Sequence, residues 1–122
     1  MKNDKSDELK RRTKKFALRM IKLYRSLPKG KDSDVIGYQM LRCATSVGAN
    51  YRAACRARSQ ADFISKITVV EEESDESGYC LELIIESGLM KEERVKDLLK
   101  EANELTAIFT ASGKTARVSK LK

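Results

Sequence analysis

The sequence predicts an all-α chain, an antiparallel up-down-up-down four-helix bundle. Three observations lead there. Apolar residues recur every three to four positions through four separate segments, the period of a helix with one buried face. Short polar breaks, marked by Pro28 and Gly30, by the cap Ser59 and by Gly88, separate those segments, and short connections make consecutive helices antiparallel neighbours. No stretch shows strand alternation, an internal repeat or a Gly-rich phosphate loop.

The first helix is expected over residues 6–27, where Phe16, Met20, Leu23 and Leu27 share a face, and Pro28, Lys29 and Gly30 end it. Asp32, Ser33 and Asp34 offer N-caps for a second helix reaching about Ala57. Its inward positions are Gly37, Leu41 or Met40, Ala44, Val47, Gly48, Tyr51 and Cys55. Ser59 opens the third helix, with Asp62 completing a variant capping box. Phe63, Ile67, Val70, Ser74, Ser77, Leu81 and Ile84 or Ile85 form its inward stripe, and Gly88 suits the left-handed position after its end. The fourth helix runs from near Lys91 to about Ala111, carries Val95, Leu98, Leu99, Ala102, Leu105, Ile108 and Phe109, and is closed by Gly113. Residues 1–12 are thus a basic N-terminal extension or the start of helix one, 13–112 the bundle, and 113–122 a basic, mobile tail.

A chain of 122 residues suffices for one domain with a modest core. Hydrophobic content of 41% and charged content of 35% exclude a disordered chain and a membrane protein. The charged N-terminus lacks the apolar core of a signal peptide, which places the protein in the cytoplasm. Three cysteines, Cys43, Cys55 and Cys80, show no paired spacing and are read as buried reduced thiols. The composition calls for no metal and no cofactor. A ferritin-like di-iron site needs carboxylates from several helices and Glu-x-x-His pairs, and the chain has no histidine. No Cys has a His partner and no Ser sits in a G-x-S-x-G setting, so the sequence reads as a non-enzyme.

Charge is unevenly spread. Residues 1–31 carry a net +9, residues 32–58 +2, residues 59–88 −7 and residues 89–122 +3. Lys10, Arg11, Lys14, Lys15, Arg19 and Lys22 crowd the first helix, with Arg12 and Arg25 among them, and are candidate contacts to the phosphates of RNA or DNA. Tyr24 is the sole exposed aromatic expected near this run, so binding should be sequence-tolerant. The competing readings are a solvated basic face, pairing with the acidic third helix, and an adaptor whose partner is another protein.

Residues 42–63, RCATSVGANYRAACRARSQADF, put small and polar residues inside a helix. Gly37, Ala44, Gly48 and Ala49 would let a neighbouring helix approach closely, offsetting the roughly 1 kcal/mol by which glycine disfavours a helix interior. Arg42, Ser46 and Asn50 are expected at the level of Glu73 and Glu76 on the antiparallel third helix, in a buried or half-buried polar network that fixes register.

The run Leu41-Arg42-x-x-x-Ser46-Val47-x-Ala49-Asn50, then Ser59, Phe63, Glu73, Glu76, Tyr79, Leu81 and Glu82, resembles the bacterial four-helix-bundle family encoded within intervening sequences of large-subunit ribosomal RNA genes. The resemblance covers roughly residues 13–112. It departs at Ala53-Ala54, where many members have Glu, and at Cys80, where many have an aromatic residue. It implies a four-helix bundle that assembles into a homopentamer. It also implies kinship with basic, pentameric accessory proteins of diversity-generating retroelements, which bind nucleic acid and a reverse transcriptase. Helices of opposite sign in this chain can pair between subunits as well as within one.

Overall fold

The computed structural model describes residues 4–121, the last two by backbone alone. It holds four helices, α1 (Asp4–Arg25), α2 (Lys31–Cys55), α3 (Gln60–Glu86) and α4 (Glu92–Leu121), and no strand among the described residues. The connections span residues 26–30, 56–59 and 87–91, so each helix doubles back along its predecessor. α1 packs on α2 and α4, α3 also packs on α2 and α4, and α1 and α3 stand diagonally across the bundle. This is the four-helix bundle that the apolar stripes predict.

The helix ends follow local chemistry. Ser59 Oγ accepts a hydrogen bond from the Asp62 backbone N–H at 3.0 Å, and Asp62 Oδ2 accepts from the Arg58 N–H at 3.1 Å, a capping box displaced by one residue. The Lys66 ammonium donates to the same carboxylate; these bonds hold the Asp62 carboxyl below its usual range, Lys66 contributing most. Gly88 takes a positive φ of 81° beyond α3, as its position predicts. At α2 the cap position falls to Gly30, which has no side chain to offer. Asp32 and Asp34 instead sit in the first turn, where their negative charge faces the unpaired N–H groups.

Phe16, Met20, Met40, Val47, Ile67, Val70, Leu81, Ile84, Val95, Leu105 and Phe109 are fully buried and come from all four helices. The Tyr51 and Phe109 rings meet with centroids 5.3 Å apart, tilted by 44°. Three of the buried hydroxyls are satisfied within their own helices: Thr13 Oγ1 donates to the Leu9 carbonyl at 2.8 Å, Ser74 to Val70 at 2.9 Å and Ser77 to Glu73 at 2.8 Å, whereas the buried Ser33 hydroxyl has no partner among the described residues.

Three expectations are corrected. On α2 the inward side chains include Cys43 and Ala54 beyond those predicted, Met40 being the fully buried one of the pair Leu41 or Met40, while Cys55 is exposed; only Cys43 and Cys80 are buried thiols. α1 starts at Asp4, ahead of the predicted residue 6. At the other end α4 does not stop at Gly113 but continues as helix to Leu121. Its last turns gain tertiary partners: Ala116 is buried, its carbonyl accepts from Gln60 Nε2 at 2.9 Å, and Arg117 donates to Thr68 Oγ1 at 2.8 Å.

The α1–α2 contact explains the small residues of α2. A Cβ at Gly48 would stand 3.2 Å from the Oγ1 of the fully buried Thr13. One at Gly37 would stand 2.7 Å from the Tyr24 ring. The two helices therefore meet at two points where α2 has no side chain.

Candidate nucleic-acid interface

Leu9, Thr13, Phe16, Met20 and Leu23 turn one face of α1 into the core, which fixes where its cations go. Lys10, Arg11 and Lys14 border a groove of about 520 Å³ between α1 and α2. Arg52 of α2 lies on the opposite lip, and Ala17, Gly48 and Ala49 form much of the floor. The groove exists because those floor residues have a methyl group or less. Lys15 and Lys22 are exposed. Arg19 is half-buried and, seven residues from Arg12, belongs to the α4 side of the helix. The six cations singled out in the sequence therefore wrap around α1, and one part of them meets Arg52.

Arg12 is spent differently. Its Nε and Nη2 donate to the two oxygens of Glu101, each at 2.7 Å, and Nη2 also donates to Glu104 at 2.8 Å. Those bonds, Glu101 first, hold the guanidinium firmly in its charged form against partial desolvation. Among the described residues, Lys10, Arg11, Lys14, Lys15, Arg19, Lys22 and Arg52 have no ion pair. The acidic α3 is diagonal to α1 and does not lie against the basic helix. Arg52 escaped the sequence reading because periodicity within α2 says nothing about which α1 residues face it.

The polar cluster on the α2–α3 seam is smaller than expected and has a member that was not foreseen. Arg42 Nη2 donates to Glu76 Oε2 at 3.0 Å and Nη1 lies 3.5 Å from Glu73 Oε1. Cys43 Sγ donates to the same Glu76 oxygen at 3.1 Å. The Arg42 side chain is 43% exposed, Glu76 51% and Glu73 14%, so the cluster is half-buried with its most buried group on Glu73. Glu73 Oε2 is buried without a hydrogen-bond partner. Burial, then the Glu76 carboxylate, push the Cys43 thiol up, which keeps it neutral. One sulfur and two carboxylates thus lie within 4.8 Å of one another, and Arg42 supplies the positive charge that this set needs. Ser46 and Asn50 stand outside it. Asn50 Nδ2 donates to the Ser46 carbonyl at 2.9 Å, and no hydrogen bond among the described residues links either residue to Glu73 or Glu76.

A third feature borders that seam. Val35 and Tyr38 of α2 and Tyr79 of α3 are 58%, 65% and 61% exposed, beside a groove that also takes in Ile36 and Leu83. No helix among the described residues is long and apolar enough to cross a membrane.

Comparison with known proteins agrees with this architecture. No curated protein matches the chain. A solved structure of a protein of unknown function from the S23 ribosomal protein family, from Bacteroides thetaiotaomicron VPI-5482, superposes with a TM-score of 0.79 at 33% identity, over 86% of this chain and 97% of that one. The profile of the 23S rRNA-intervening sequence proteins matches residues 5–111, which takes in the basic helix, the α2–α3 seam and nearly all of the bundle core. The four helices and their sequence together make this chain a member of the 23S rRNA-intervening sequence protein family.

Proposed function

We propose that the protein is a non-catalytic homo-oligomer, a ring of five copies, that binds RNA or other nucleic acid through α1. The observation that carries this reading is the set of unpaired cations, Lys10, Arg11, Lys14, Lys15, Arg19 and Lys22, on a helix set diagonally from the acidic α3. Phosphate contacts of this kind carry little sequence information and weaken steeply with salt. Six of them correspond to a loss of about 10³ in affinity between 50 and 200 mM salt. Five copies multiply such contacts into avidity. Val35, Tyr38 and Tyr79 offer the exposed apolar surface on which copies meet. The same patch would serve a protein adaptor, which is the alternative reading.

Fluorescence anisotropy with RNA and DNA at about 50 and 200 mM salt, paired with light scattering on a sizing column, separates them. Binding that is lost on reversing Arg11, Lys15 and Arg19 to Glu, with fold and assembly intact, supports the reading. Absence of binding at low salt, or binding unchanged by the reversal, favours the adaptor. A monomer at ~100 µM removes the oligomer, and a dimer removes the ring of five.

A further inference from the structure

We infer that the α1–α2 groove takes double-helical nucleic acid in preference to single strands, with Arg52 as the cation that α2 contributes. The inference rests on the proposed function and names the class of ligand for it.

The groove has charge on both lips and nothing on which a base can stack. Lys10, Arg11 and Lys14 stand on one side and Arg52 on the other. Small residues floor it, and no aromatic ring lines it. Tyr24, the exposed aromatic nearest in sequence to the basic run, is 39% exposed but leans on Gly37 further along the helix pair and does not line the groove. Phe16 and Phe109 are fully buried, and Tyr51 is buried in the core. Proteins that hold single strands without sequence preference combine a positive groove with aromatic platforms, because splayed bases need a surface to replace their neighbours. A duplex keeps its bases stacked on one another and offers phosphates alone. Lys10 and Lys14 are one helical turn apart, about 6 Å along α1, close to two base-pair rises on a strand with one phosphate every 3.4 Å.

Counterion release points the same way. A duplex has a salt slope of about −0.9 per phosphate neutralised and a single strand about −0.7. For the four groove cations, and from a common affinity at about 1 M salt, the difference in slope amounts to about tenfold tighter duplex binding at 50 mM salt. RNA and DNA duplexes share the phosphodiester chemistry that the groove reads, and both are expected to bind.

The test uses the full chain and three labelled probes of equal length: an RNA duplex, a DNA duplex and an unstructured single strand. Anisotropy at about 50, 100 and 200 mM salt gives affinity and slope. The duplexes should bind about tenfold tighter than the single strand at 50 mM. Arg52→Gln, at an exposed position without an ion pair among the described residues, should leave helicity unchanged, weaken duplex binding about tenfold at 50 mM and reduce the slope by about one. Lys100→Gln, exposed on α4, serves as the control and should bind like the parent. Equal or tighter binding of the single strand overturns the inference while leaving nucleic-acid binding in place. So does an Arg52→Gln variant that binds duplex like the parent. Binding to none of the probes overturns the inference together with the function on which it rests.

Discussion

The two flanks of α1 use the same residue type in opposite ways. Toward α4, Arg12 is clamped by Glu101 and Glu104, all three held by short charged hydrogen bonds. Toward α2, Lys10, Arg11 and Lys14 face a floor of small residues and find no acid among the described residues. The difference lies in the neighbouring helix. α4 presents two glutamates one turn apart, whereas α2 presents Gly48, Ala49 and a further cation, Arg52. Charge that is answered inside the bundle stabilises it; charge left unanswered is available to something outside.

The comparison breaks most visibly at the open flank. The reversal Arg11→Glu with Lys14→Glu should lower nucleic-acid affinity by about 10² or more at 50 mM salt, since two attractions become two repulsions, and circular dichroism should show an unchanged fold. A variant that unfolds instead would mean that these residues hold the bundle as Arg12 does. The closed flank should respond in the opposite sense. Arg12→Ala leaves Glu101, 16% exposed, without its cation, and should lower stability by about 2 kcal/mol in chemical denaturation, between a surface pair and a buried one. Its affinity for nucleic acid should match the parent. Arg12→Ala proteins with parental stability and weakened binding would reverse the assignment of the two flanks.

The α2–α3 seam is intermediate and sharpens the scale. Arg42 is itself exposed but leans on the more buried Glu73, so Arg42→Ala should lower stability measurably in chemical denaturation, by less than Arg12→Ala does. A denaturation midpoint equal to the parent's would place the seam with ordinary surface pairs. The smallest effect is with pH. Burial raises the thiols of Cys43 and Cys80 and the phenol of Tyr51 above their ordinary values. These groups stay protonated in the fold while the unfolded chain ionises from about pH 8.5 upward. Stability is then full below that pH and falls as pH rises. Urea midpoints from pH 7 to 10 check the slope, and a midpoint that rises over that range contradicts the burial of these groups.

The bundle was legible because each helix carries its own periodic stripe, and α3 shows it best. All but one of Phe63, Ile67, Val70, Ser74, Ser77, Leu81 and Ile84 are buried, with Phe63 half-buried. What escaped depends on partners that a single helix does not encode. Gly113 reads as a stop, yet Gln60 and Thr68 of α3 give the following turns something to hold. The polar network is shorter than the sequence predicts for a geometric reason. Arg42, Ser46 and Asn50 extend about 12 Å along α2, whereas Glu73 and Glu76 cover about 4.5 Å of α3. Two carboxylates that close together serve one end of the row, so Asn50 turns back to the Ser46 carbonyl and Cys43 enters in their place. Of the candidate interface, the α1 cations were visible as a run of charge, while Arg52 became visible only once α1 and α2 were laid side by side.

The diagonal placement of α1 and α3 has an electrical consequence. The α1 helix, net +6, and the α3 helix, net −7, occupy opposite edges of one narrow bundle, which gives the molecule a dipole across its width as well as a net charge. A polyanion that comes within the screening distance, about 10 Å at 0.1 M salt, attracts one edge and repels the other. The resulting torque turns the protein before any contact is made, so that the α1 edge arrives first.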